Sequence, residues 1–236
     1  MSRAGIPLWP LPLAAGLLPL AATLIAFWLS MSAQLIPACN PLLDGCVSIS
    51  RAARHGLGNH VFRALVLPGA LLQAMTWMLC AEWLRRLGAR GPSIAWVPVL
   101  GCTAGVFFIV YGTFLGTEGE TYRWLRRYGV VVYFGFTWLC AAMVASHLGK
   151  LRRAGLYVSP LRLDRLITLL LATLGCGIVN RFVATSSATE ALRDHVENLC
   201  EWYAAAGLTV SFLAFAWLWK SSGFVGRTLL PGSAGE

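Results

Sequence analysis

The chain has 236 residues, of which 57% are hydrophobic and only 12% charged, and it carries a formal net charge of +9. A soluble domain has roughly one residue in four charged, so water is excluded as the main solvent here. The basic excess is therefore read against a membrane surface before nucleic acid, and no nucleic-acid partner is expected.

Apolar blocks of about twenty residues have the length that crosses a hydrocarbon layer of roughly 30 Å at 1.5 Å per residue. Six occur, near residues 7–31, 64–84, 93–115, 128–148, 163–183 and 197–219. Backbone groups in lipid must be paired within their own segment, and the blocks are too long and evenly apolar for barrel strands. They predict an all-α, polytopic membrane bundle of six transmembrane helices, a single domain over 1–236. The first block is longer than the roughly 7–15 residues of a signal-peptide core, which makes it a retained span. Pro7, Pro10, Pro12, Pro68 and Pro98 are expected near helix entrances, where a missing N–H matters least.

The connections around 85–92 and 149–165 carry Arg85, Arg86, Arg90, Lys150, Arg152, Arg153, Arg162 and Arg165. With Arg3, Lys220 and Arg227 they hold eleven of the nineteen Lys and Arg. Seven of the ten acids, from Asp44 to Glu201, fall at the other face, and Glu82, Asp164 and Glu236 are the exceptions. The positive-inside rule then puts the basic connections and both termini in the cytoplasm, in a bacterial inner membrane or a eukaryotic Golgi or secretory membrane. Of seven cysteines, five sit in apolar blocks as small hydrophobes. Cys39 and Cys46 share a polar loop on the side where oxidation is permitted and form a candidate disulfide, with free thiols the alternative.

Three polar segments gather on the acidic face. The first, 33–63, offers Asp44, Ser48, Ser50, Arg51, Arg54, His55, His60 and Arg63, and guanidinium groups suit a lipid phosphate because they give paired hydrogen bonds. The second, 116–129, carries Glu118 and Glu120 before Tyr122, Arg123, Trp124, Arg126 and Arg127, a set that predicts interfacial anchoring and an internal ion-pair network. The third brings His195, Glu197, Asn198 and Glu201 within about two helical turns, followed by the apolar run that begins at Ala204. An acid below headgroup level is costly, so Glu201 is the leading functional candidate, with His195 or an arginine as its expected partner.

The run CVSISRAARHG from Cys46 to Gly56, the pair Phe62 and Arg63, and the pair Glu201 and Trp202 resemble motifs of the DRAM/FRAG/SFK family of six-span proteins, which includes GPI-anchor lipid-remodelling members of the Golgi. Arg51 interrupts the small-residue run of that signature, and the usual proline after it is missing. The resemblance implies lipid-related work: GPI-anchor reacylation, control of lipid asymmetry or support of autophagy.

The expected function is binding of a phospholipid or GPI-type glycolipid headgroup at the non-cytoplasmic leaflet, with help in remodelling its acyl chains. His195, Glu201 and Glu120 are the candidate catalytic groups. Asp44, Ser48, Ser50, Arg51, Arg63, Arg123, Asn198 and Trp202 are the candidate substrate contacts. No cofactor is expected, and no nucleophile-elbow or HExxH signature is present. A metal site drawn from His55, His195 and the outer acids would lack tight His spacing. The alternative is a non-catalytic lipid sensor whose cytoplasmic arginines hold a protein partner or anionic lipid. A transporter is disfavoured, because charges deep within several spans are lacking.

Overall fold

The computed structural model describes residues 5–156 and 160–226. Arg3, Arg227 and Glu236, which enter the charge count above, lie outside them. The described residues form eight helices and one two-stranded ribbon. Six helices are long and apolar enough to cross a membrane: α1 (Pro10–Ser32), α4 (Gly56–Arg86), α5 (Ser93–Phe114), α6 (Glu120–Arg153), α7 (Pro160–Thr185) and α8 (Glu190–Ser221). The protein is a multi-pass integral membrane protein built as an all-α bundle.

Several of these helices outrun their apolar blocks. α4 begins at Gly56 rather than residue 64, α6 at Glu120 rather than 128, and α8 at Glu190 rather than 197. The reason is that a helix needs apolar side chains only where lipid surrounds it, and polar residues continue it into water. As a result Pro68 lies well inside α4; Pro98 is also interior to α5 rather than at its entrance, Pro19 is interior to α1 and Pro10 does open that helix. Interior prolines are tolerated here because neighbouring helices and side chains take up the freed backbone groups.

α1 packs between α4 and α8, α5 between α4 and α6, and α7 lies mainly on α8 with a thinner contact to α6. Hydrophobic burial drives little of this in lipid, so close approach of backbones matters more. A Cβ added at Gly105 would lie 3.2 Å from the Ala70 carbonyl of α4, and one at Gly16 would lie 3.2 Å from the Thr209 carbonyl of α8.

Connectivity alternates between the two ends of the bundle. At one end the ribbon of β1 (Ile6–Pro7) and β2 (Val225–Gly226) pairs the N- and C-terminal segments, and Arg86 donates to the Val225 carbonyl at 2.9 Å. The last turn of α4 with Arg85, the connection with Arg90, and the last turn of α6 with Lys150, Arg152 and Arg153 share that end. Asp44, Glu120 and His195 all sit at the other. There the segment expected to be an irregular loop contains two one-turn helices, α2 (Pro41–Asp44) and α3 (Ile49–Ala52), capped by the side chains of Asn40 and Ser48. Cys39 and Cys46 are joined as a disulfide across α2, with Cα atoms 6.6 Å apart. Two aromatic-rich cores fill the interior, one around Trp77, Phe212, Phe215 and Trp219 near the ribbon, the other around Phe62, Phe108, Tyr111, Tyr133 and Trp202 near the disulfide.

Candidate functional site

The second core is incomplete. A cavity of about 260 Å³ lies in the disulfide-side half of the bundle, walled by α1, α4, α5, α6 and α8 and roofed by Pro41, Leu42 and Ile49. Leu24, Leu42 and Ala206 line it and are also exposed, so it reaches the surface beside α1, α2 and α8. Its wall is apolar except for a few groups. Glu201 is half-buried there, and one carboxylate oxygen accepts the Ser50 N–H at 3.2 Å. Tyr111 and Gln73 are each 3% exposed. The Gln73 amide donates to the Ala15 carbonyl at 3.0 Å, but its oxygen, like the Tyr111 hydroxyl, has no hydrogen-bond partner among the described residues.

A buried polar atom without a partner costs roughly 1–3 kcal/mol. Both side chains line the apolar cavity, and a mostly apolar molecule with a few oxygens that displaced their immediate neighbours slightly would meet a donor hydroxyl and an acceptor oxygen at once. Arg54 and Arg51 lie within electrostatic reach of Glu201, and Arg54 and Arg126 within reach of Tyr111. The Nε of Arg54 is itself buried and unpartnered among the described residues. Arg126 donates to the carbonyls of Phe114 and Thr117, which holds it at the start of α6.

The other sequence candidates serve mainly to fasten the first loop. Asn198 donates to the Gly45 carbonyl, Trp202 to that of Val47 and Tyr203 to that of Leu42, each at 2.8 Å. Trp202 also meets Phe27 edge-on with ring centroids 5.6 Å apart, and it lines the cavity. Ser48 accepts the Arg51 N–H at 3.1 Å as the cap of α3, and its hydroxyl lies 3.1 Å from that of Ser50. Asp44 accepts the Asn40 N–H at 2.8 Å within the turn of α2. Arg51 forms a 4.0 Å surface ion pair with Asp194, a type of contact that contributes little.

His195 does not line the cavity. It is exposed, and its ring covers Gly45, where an added Cβ would come within 2.7 Å of Nδ1. Gly45 has φ +53°, a left-handed turn that also favours glycine. The expected pairing of His195 with Glu201 is therefore corrected: six residues separate them on α8, which turns their side chains to different faces. Arg63 also stands outside the cavity lining, as does the exposed Arg123. Glu118 and Glu120 are exposed, and among the described residues neither forms an ion pair, so the network expected around them is absent. Glu120 occupies the first turn of α6, where its charge suits the helix dipole. No group of three or more His, Cys, Asp or Glu able to hold a metal occurs among the described residues.

Tyr111, Gln73 and Tyr133 escaped the sequence reading of the site. Gln73 carried a usable signal, as a single amide inside an otherwise apolar stretch of α4. Comparisons with protein-family models, curated proteins and solved structures give no match.

Proposed function

We propose that this protein binds one membrane lipid, a phospholipid or GPI-type glycolipid, with part of an acyl chain in the cavity and its oxygens on Tyr111, Gln73 and Glu201. The observation that carries the reading is an apolar cavity that reaches the surface and is lined by Tyr111 and Gln73, whose buried side-chain oxygens have no partner among the described residues. An ester carbonyl accepts from the tyrosine, and a glycerol or sugar hydroxyl donates to the amide oxygen or the carboxylate. Arg54, also outside the cavity lining but within electrostatic reach of both Glu201 and Tyr111, is the guanidinium for a phosphate at the cavity's edge.

Volume supports the same conclusion. The cavity of about 260 Å³ reaches the surface, so it has room for part of an acyl chain and an opening through which the chain enters. The site belongs to the non-cytoplasmic leaflet and both termini to the cytoplasm, because the opposite end carries most of the basic residues. The resemblance to DRAM/FRAG/SFK proteins agrees with lipid-related work.

The favoured mode is non-catalytic binding or sensing, since His195 is turned away from the cavity. A second reading, assistance in acyl transfer or removal, draws on the Ser48 and Ser50 hydroxyls beside Glu201. Native mass spectrometry of the purified chain, wild type against Tyr111→Phe and Gln73→Leu, tests the binding. Retained lipid should fall about fivefold or more for each variant, the worth of one hydrogen bond, and Tyr111→Phe should not lower thermal stability. Equal retention in all three proteins would overturn the reading. Cellular acyl profiles restored by wild type but not by Glu201→Ala would select the remodelling mode.

A further inference from the structure

A groove of about 540 Å³ lies between α6 and α7 toward the ribbon end, apart from the cavity. The two helices touch over only part of their length there, joined by Trp138 Nε1 donating to the Leu170 carbonyl at 2.8 Å and by Arg152 against Asp164 at 3.3 Å. Small residues on α6, Ala142, Ala145 and Gly149, face Leu163 and Ile167 of α7 across an apolar floor. Arg152, Arg153 and Asp164 form its polar end, two cations against one acid. Arg153 is exposed and has no acidic partner within ion-pair distance among the described residues. Lys150 and Arg165 add positive charge to the same helix ends, and Asp164 is the single acid between residues 149 and 165.

The two parts of this groove call for different chemistry in one ligand. A free phosphate would use the arginines and leave the apolar floor uncovered. A neutral lipid would cover the floor and leave Arg153 unmatched. A phospholipid with a net negative headgroup meets both needs, since basic pockets between spans suit such headgroups and guanidinium binds phosphate through paired hydrogen bonds. We propose that the α6–α7 groove is a binding site for an anionic phospholipid, with its phosphate on Arg152 and Arg153 and an acyl chain along Ala145, Gly149 and Ile167. The site is independent of the cavity at the opposite end and of its proposed function.

The test uses the full chain, delipidated in detergent and offered phosphatidylglycerol or phosphatidylcholine, with binding read by native mass spectrometry. Wild type should retain phosphatidylglycerol in preference. Arg152→Gln together with Arg153→Gln should weaken that retention on the order of 30-fold, since each surface cation contributes a factor of roughly five. Gly149→Leu blocks the floor without changing charge, because a Cβ there meets only Leu163, at 4.0 Å, and it should also abolish the preference. Ser146→Leu, exposed on the same wall, repeats the blocking test if Gly149→Leu loses its helical circular dichroism. Excess inorganic phosphate should not displace the lipid. Equal retention of the two lipids, wild-type retention in the double arginine variant or in the folded blocking variant, or displacement by phosphate would each overturn the proposal.

Discussion

The first loop and α7 are both rich in residues that a sequence reader notices, and the structure uses them in opposite ways. The loop from Cys39 to Ala53 is polar, yet it is fastened to α8 by four hydrogen bonds, from Asn198, Trp202 and Tyr203 and to Glu201, and closed by a disulfide. α7 is apolar, yet only 11% of its most apolar stretch is buried, against 28–44% in the other five spans. Polar groups concentrated in a loop can be structural fasteners, and an apolar span can be chiefly a lipid-facing surface. Buried polar atoms without a partner also occur at Trp77, Thr137 and Trp219, so what marks the site is their coincidence with a cavity that reaches the surface.

Substitutions should separate the two regions clearly. The largest effect is expected for Trp202→Ala, which removes the bond to Val47 and the packing on Phe27. Thermal unfolding in detergent should show a loss of about 3–5 kcal/mol, the range for a buried aromatic cut to alanine. Cys39→Ser should cost about 2–3 kcal/mol by freeing a short loop, and the same loss should appear on reduction of the wild type. Phe182→Ala, at a position 72% exposed on α7, should stay within about 0.5 kcal/mol. A large loss at Phe182 would mean that α7 is packed against something, and the contrast between the regions would fail.

The six spans were legible because the need to pair every backbone group in lipid leaves a strong mark on composition. Their ends were less so, since nothing in hydropathy stops a helix such as α4 or α8 from running on through polar residues. Glu201 was legible as a carboxylate on the threshold of an apolar run, and it does line the cavity. Its surroundings were not. Whether Asn198 meets a ligand or the Gly45 carbonyl depends on how a loop about 150 residues earlier folds back, and spacing along α8 carries no information on that. Arg54 and Arg63 illustrate the same limit. Both belong to the 33–63 segment in sequence, but Arg63 stands on α4, and Arg54 in the turn before it lies within reach of Glu201 and Tyr111.

The account rests on a lipid chain entering the cavity under the first loop, and photocrosslinking tests that most directly. A phospholipid with a photoreactive group partway along its acyl chain would be reconstituted with the protein, irradiated, and its adducts mapped by peptide mass spectrometry. The account predicts adducts on cavity residues such as Phe27, Leu208 and Thr209, and their loss in Ala205→Phe, which places a ring in the space. Adducts confined to outward residues such as Ile178 and Phe182, with the same pattern in both proteins, would contradict it.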